Sequence, residues 1–135
     1  MKSIIKIEEL AQLIAALLGI YYLPVELSWW LWIVLFFAPD LSMVGYLWDS
    51  RVGAILYNLA HHKAVAAFVF FIGFYSGNIG LQVTALLLWT HSSFDRVLGY
   101  GLKHMDSFQH THLGNIGKES GRAGHKSSSK PFLSN

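Results

Sequence analysis

The chain alternates between long apolar stretches and short polar breaks, and this pattern predicts four membrane-spanning helices. Each stretch approaches the ~20 residues that a helix needs to cross a ~30 Å hydrocarbon core. The breaks lie at Pro24, at Asp49-Ser50-Arg51 and at the turn Ser76-Gly77-Asn78. The predicted spans run from about 4 to 23, 28 to 48, 52 to 75 and 79 to 103. The pattern therefore predicts an all-α protein, an integral membrane four-helix bundle.

The chain is expected to form one domain followed by a tail. Residues 1–114 contain the spans and, after the last of them, a polar segment at residues 104–114. Residues 115–135 are rich in Gly, Ser and Lys and carry few apolar side chains, so we expect them to be disordered.

The distribution of basic residues predicts the orientation. With four spans, both chain ends and the Asp49–Arg51 loop lie on one side, and the Lys and Arg residues that fall there are Lys2, Lys6, Arg51, Lys103, Lys118, Arg122, Lys126 and Lys130. The opposite loops contain Glu26 and no Lys or Arg. Because basic residues favour the cytoplasmic side, we expect both termini in the cytoplasm and a multi-pass protein of the bacterial inner (plasma) membrane.

Composition agrees with a membrane protein and excludes several chemistries. The chain is 53% hydrophobic and 13% charged, whereas soluble domains are about 25% charged. A formal net charge of +2 gives no reason to expect nucleic acid as a partner. There is no cysteine, which excludes disulfides, thiolate metal ligands and a Cys nucleophile.

The polar residues inside the predicted spans are the candidate functional residues. An ionisable group near the middle of a bilayer costs roughly 2.5–3.5 kcal/mol, so such groups face the protein interior and find partners. His91 and Asp95 are four residues apart and share a helix face. Counted at ~1.5 Å per residue from the cytoplasmic helix ends, Asp40, His61 and Asp95 lie roughly 12–14 Å deep, with His91 one turn deeper. The sequence therefore predicts one shared polar site.

Imidazole and carboxylate groups at this spacing are typical ligands of zinc, iron or manganese, and a water on such a metal is a hydrolytic nucleophile. The predicted metal ligands are Asp40, His61, His91, Asp95 and His112. The predicted catalytic residues are Asp40, Asn58, His61, Asp95 and Arg96. Arg96 and Lys103 would hold a phosphate or carboxylate, and residues 110–112 would fold back over the cytoplasmic mouth of the site.

Each of these residues also has a structural interpretation. His91 and Asp95 could form a hydrogen-bonded pair, and Asn58 could join two helices. Arg96 could neutralise Asp95 or a lipid phosphate, and Glu9 could lie at the headgroup interface.

Three functions remain open. One is a metal-dependent hydrolase that acts on a lipid or amphiphile at the cytoplasmic leaflet. The second is an ion, proton or small-ligand binding or transport protein, for which a path across the membrane would require a homo-oligomer. The third is a structural membrane subunit.

Four blocks of sequence resemble one family of small bacterial membrane proteins, DUF4260. The blocks are APDLSMVGY (38–46), VGAILYNLAHH (52–62), HSSFDRVLGYGLKH (91–104) and FQHTHLG (108–114). The resemblance covers residues from about 4 to 114 and implies a membrane protein, without implying a reaction. The residues that it highlights are Asp40, Asn58, His61, His91, Asp95, Arg96, Thr111 and His112.

Overall fold

A computed structural model describes residues 2–116, and this part of the chain is mainly helical, which confirms the all-α class. The α-helices are α1 (Lys2–Tyr22), α2 (Trp29–Phe37), α3 (Ser50–His61), α4 (Lys63–Tyr75) and α5 (Ile79–Leu98). A 3-10 helix, Ala38–Leu47, continues α2. Two short strands, β1 (His110–Thr111) and β2 (Gly114–Asn115), form an antiparallel hairpin. The predicted disordered tail lies outside the described residues from position 117 onward.

Helix α5 is the central element and packs against both α1 and α4. Val83, Leu87, Thr90 and His91 are buried at the spacing of one helix face. The helix begins where the Asn78 side chain accepts a hydrogen bond from the Leu81 amide at 3.0 Å. It ends at Leu98, not at residue 103 as the sequence predicted, because Gly99 adopts a left-handed conformation with φ of 99°.

The third predicted span is divided into two helices at His62. This residue is extended, with φ −88° and ψ 116°, and α3 and α4 are bent by 50° relative to each other. The break takes the carbonyl of His61 out of the helical ladder, and the hydroxyl of Ser92 donates to it at 3.0 Å. The polar side chain on α5 therefore replaces the hydrogen bond that a continuous helix would have made.

The 3-10 helix places Asp40 beside α3. Pro39, at its start, has no amide hydrogen to donate and is compatible with a first helical turn. The helix packs closely on α3 through Gly45 and Gly53, and a Cβ atom at Gly53 would overlap the ring of Tyr46. These two glycines set the separation at which Asp40 can reach His61.

The interior combines polar side chains with small apolar ones such as Ala54 and Ala85, whereas many large apolar side chains lie on the outside. The largest fully buried side chains are His91, Thr90, Ser92 and Ser93. Large apolar side chains are exposed on several helices, among them Ile7 at 68%, Trp29 at 75% and Phe68 at 66%. This is the reverse of the usual distribution in a soluble domain.

Within residues 2–116, one continuous helical stretch, Trp29–Leu47, is long and apolar enough to cross a membrane. The bent pair α3–α4 meets the same criterion when its two helices are taken together. Helices α1 and α5 do not meet it, and both carry charged or polar side chains along their length.

Candidate metal centre

Three separate segments bring four potential metal ligands together. Asp40 comes from the 3-10 helix, His61 from the end of α3, and His91 and Asp95 from adjacent turns of α5. One ligand atom from each of the four lies within 4.8 Å of all the others. The separations include 3.2 Å from His91 Nε2 to Asp40 Oδ1 and 3.5 Å from His61 Nε2 to Asp95 Oδ2. We call this group the four-ligand centre.

The hydrogen bonding of His61 determines its tautomer, that is, which ring nitrogen carries the hydrogen and which presents a lone pair to the carboxylates. Nδ1 lies 2.8 Å from the carbonyl oxygen of Tyr57, and a carbonyl only accepts, so Nδ1 carries the hydrogen. In the neutral ring the Nε2 lone pair therefore points toward oxygens of Asp40 and Asp95 at 3.6 and 3.5 Å. Asp95 accepts a hydrogen bond from the Tyr57 hydroxyl and Asp40 lies within hydrogen-bond distance of His91 Nε2, whereas among residues 2–116 no donor faces the buried His61 Nε2. A proton or a metal ion placed between His61 Nε2 and the two carboxylates would compensate this lone pair.

The dimensions of the centre fit a metal ion. Ligands about 2.0–2.2 Å from a tetrahedral metal lie roughly 3.3–3.6 Å apart. The histidine–carboxylate separations of 3.2, 3.5, 3.6 and 3.8 Å, which involve both oxygens of Asp95, lie near that range. Two imidazoles and two carboxylates are a ligand set that zinc, iron and manganese accept.

Tyr57 orients two of the four ligands. Its carbonyl fixes the tautomer of His61, and its hydroxyl donates to Asp95 Oδ2 at 3.0 Å. The Tyr57 and His61 rings also stack, with centroids 3.8 Å apart. Metal-binding histidines characteristically hold their second nitrogen in such a bond. Tyr57 and His61 are four residues apart and therefore share a helix face, but that spacing alone does not reveal this double role.

The centre is open on one side. His91 and His61 have exposed side-chain fractions of 1% and 3%, whereas those of Asp95 and Asp40 are 15% and 33%. The carboxylates therefore form the accessible edge, and the imidazoles lie behind them.

Asn58 was predicted to be catalytic, but the structure places its side chain on the backbone of Lys103. The amide nitrogen donates to the Lys103 carbonyl at 2.8 Å, and the amide oxygen accepts from the Lys103 N–H at 2.7 Å. Lys103 follows α5 in irregular backbone, where both groups need partners. Asn58 therefore positions Lys103 and does not contribute to the four-ligand centre.

Arg96 was expected to neutralise Asp95 or to act in catalysis, but it faces α1 instead. Its Nη1 lies 3.5 Å from Glu9 Oε1, and the Lys63 ammonium donates to the other oxygen of Glu9 and to Gln12. Glu9 is only 6% exposed, so it is an interior residue rather than the interfacial one that the sequence suggested. The structure thus contains a second polar group, Glu9–Lys63–Arg96, separate from the four-ligand centre.

His112 was predicted to bind metal, but it is not one of the four ligands. Its Nδ1 accepts a hydrogen bond from the Leu102 amide at 2.8 Å, while its own amide donates to the Leu102 carbonyl at 3.1 Å. Thr111 forms a β-bridge with Lys103, so the segment after α5 folds back on itself. His110 donates to Asp106 at 2.8 Å, and this hydrogen bond lowers the pKa of the exposed Asp106 carboxyl.

Comparison with known proteins gives a family. No curated protein and no solved structure matches the chain. The sequence profile of a family described as "Domain of unknown function (DUF4260)" matches residues 2–116. This match covers most of the chain and includes all residues of the four-ligand centre, and the chain therefore belongs to the DUF4260 family.

Proposed function

We propose that this protein is a multi-pass inner-membrane metalloenzyme that hydrolyses a lipid or another amphiphile. The observation that carries the proposal is the lone pair of His61 Nε2, which faces the carboxylates of Asp40 and Asp95. A divalent metal ion bound by Asp40, His61, His91 and Asp95 would compensate these groups together. Zinc, iron and manganese are the candidate metals.

The polar side chains in the interior and the large apolar ones on the outside support a membrane location. In the proposed topology, the four spans are α1, α2 with the 3-10 helix, α3 with α4, and α5. The carbonyl freed at the break at His62 accepts from Ser92, and backbone groups of Lys103 and Leu102 pair with Asn58 and His112, so these groups find partners within the protein. Lys6, Arg51 and Lys103 all fall on the cytoplasmic side of this arrangement.

The absence of cysteine allows a direct test of the topology. Single cysteines at Asp49 and Glu26, both exposed, should react from opposite sides of the membrane. In intact cells, a membrane-impermeant maleimide should label Glu26→Cys and should label Asp49→Cys only after the membrane is opened. Labelling of both positions, or of neither, in intact cells would contradict the proposed topology.

The chemistry proposed for the centre is hydrolysis of an ester or phosphoester. A bound divalent metal would supply a Lewis acid and would lower the pKa of a coordinated water to about 7. The oxygen of water bonds to the acyl carbon or phosphorus, the bond to the alcohol oxygen breaks, and the alcohol leaves with a proton. Asp40 is the most exposed of the four ligands, and its Oδ1 faces the imidazoles, so its second oxygen is the group placed to move that proton.

The test is turnover of acyl-ester and phosphoester amphiphiles by detergent-purified protein loaded with zinc, iron or manganese. We expect activity that disappears on chelation, returns with metal, and falls by about 10²-fold or more in Asp40→Asn, as for loss of a general base. His104→Gln, which changes an exposed histidine, should keep full activity. Turnover that survives chelation, or metal-loaded protein without turnover on either class, would contradict the hydrolase.

A further inference from the structure

A cavity of about 420 Å³ opens beside the carboxylate edge of the four-ligand centre. Asp40 and Asp95 line one part of it. Its other walls are largely apolar and include Met43 and Phe94. The volume lies within the range of small-molecule sites, which are apolar pockets with a few polar groups that fix the ligand's orientation.

The Lys103 side chain also lines this cavity and supplies a cationic group to it. Lys103 is 5% exposed, and its ammonium lies 3.9 Å from the ring centroid of Phe108 and 5.1 Å from that of Tyr57. Among residues 2–116, no carboxylate forms an ion pair with it and no acceptor takes its hydrogens. Aromatic faces stabilise a cation only in part, and the ammonium borders the cavity together with Asp40 and Asp95, so the anionic group of a ligand bound there could pair with it.

The backbone of Lys103 is held in place by two neighbouring residues. Asn58 binds both its N–H and its carbonyl, and Thr111 pairs with it from the hairpin. A side chain with four rotatable bonds is thereby presented from a fixed position. Preorganisation of this kind reduces the entropy lost when a ligand binds.

We propose that this cavity binds an amphiphile with an anionic headgroup, a phosphate or a carboxylate, which contacts the Lys103 ammonium while the apolar chain occupies the cavity. The inference rests on the proposed function for the fate of the ligand, since the bond to be cleaved would lie beside Asp40 and Asp95. Binding itself depends on Lys103 and the apolar walls. A substrate of this class would place its anionic group on Lys103, the residue that the sequence predicted to hold a phosphate or carboxylate.

The test is calorimetric titration of the purified protein in neutral maltoside micelles with dodecyl phosphate, at measured metal content. We expect saturable binding that becomes about tenfold weaker or more in Lys103→Met, which keeps the apolar stem and removes the charge. Lys6→Met, the matched change at an exposed lysine, should bind as the unaltered protein does. The unfolding temperature of each variant establishes that it is folded.

Inorganic phosphate serves as the second probe. We expect no saturation by it at concentrations where dodecyl phosphate saturates, because it leaves the apolar walls unfilled. Equal binding of both probes would overturn the amphiphile assignment. If a folded Lys103→Met binds dodecyl phosphate as tightly as the unaltered protein, the role of Lys103 is overturned.

The result separates this inference from the metal centre. If the protein holds one metal ion per chain and Lys103→Met binds dodecyl phosphate as tightly as the unaltered protein, the role of Lys103 is refuted and the metal centre stands. With no bound metal, the metalloenzyme proposal fails. The affinities of Lys103→Met and the unaltered protein for dodecyl phosphate are then compared after chelation. Weaker binding by Lys103→Met supports the role of Lys103, and equal binding overturns it.

Discussion

Replacing Glu9 by alanine is expected to destabilise the protein by about 3–5 kcal/mol, the usual result of removing one partner from a buried ion pair. The Glu9 side chain is 9% exposed, and those of Lys63 and Arg96 are 13% and 16% exposed. Without the Glu9 carboxylate, the cations of Lys63 on α4 and Arg96 on α5 lose the anion that they share, and Lys63 keeps, of its described hydrogen-bond acceptors, only the neutral Gln12. The substitution therefore weakens the packing of α1, α4 and α5 together, although it touches no residue of the four-ligand centre.

The measurement is the free energy of unfolding in mixed micelles, with Glu8→Ala as the matched control. Glu8 is exposed and accepts one described hydrogen bond, from the Gln12 amide at 3.3 Å, so its loss should change stability by less than about 0.5 kcal/mol. Replacing Lys63 by methionine in the Glu9→Ala background should recover part of the loss. Equal stabilities of Glu8→Ala and Glu9→Ala would show that Glu9 is not a buried counter-ion.

The second large effect is a loss of metal affinity, which should be greater when a ligand is removed than when a residue that orients a ligand is changed. Changes to residues that only orient a metal ligand cost about 10–100-fold in affinity. Tyr57→Phe, which removes the hydroxyl from Asp95 and keeps the carbonyl on His61, should fall in that range. His91→Ala removes a ligand whose side chain is 1% exposed, and should lose more than about 100-fold.

Competition with a chromogenic chelator measures this series, and His104→Gln is the control. His104 is exposed and stacks on His110 with ring centroids 4.0 Å apart, away from the four ligands. Its substitution should leave affinity unchanged. A larger loss in His104→Gln than in His91→Ala would place the metal in the polar segment after α5 and would refute the four-ligand centre.

The helical class and the meeting of the four ligands were accessible from the sequence. Hydrophobic period and length predicted the helices, and equal depth from the helix ends predicted that Asp40, His61 and Asp95 would meet. His91 followed from its four-residue spacing to Asp95. These inferences use only the helical repeat and rise, which every helix shares.

The partner of Arg96 was not accessible in the same way. Arg96 is adjacent to Asp95, but adjacent residues on a helix point about 100° apart, so proximity in sequence suggested the wrong pair. Its actual partner, Glu9, lies 87 positions away on α1. Helical periodicity gives the faces of each helix and does not say which helix lies against which face.

The roles of Asn58 and His112 depend on irregular backbone. Both side chains satisfy main-chain groups of Leu102 and Lys103, just beyond the left-handed Gly99. The hydrophobic pattern predicted that α5 would continue through these positions, so no free backbone groups were expected there. A polar side chain suited to a metal or a substrate is equally suited to an unpaired amide.

The most direct test of the account is metal analysis combined with X-ray absorption spectroscopy of the purified protein after equilibration with zinc. The four-ligand centre predicts one zinc ion per chain, with nitrogen and oxygen neighbours at about 2.0–2.2 Å and the imidazole scattering of two histidines. The contrary result would be no retained zinc, iron or manganese, or a bound metal without histidine neighbours. Either finding would mean that a proton, rather than a metal ion, lies between His61 and the two carboxylates.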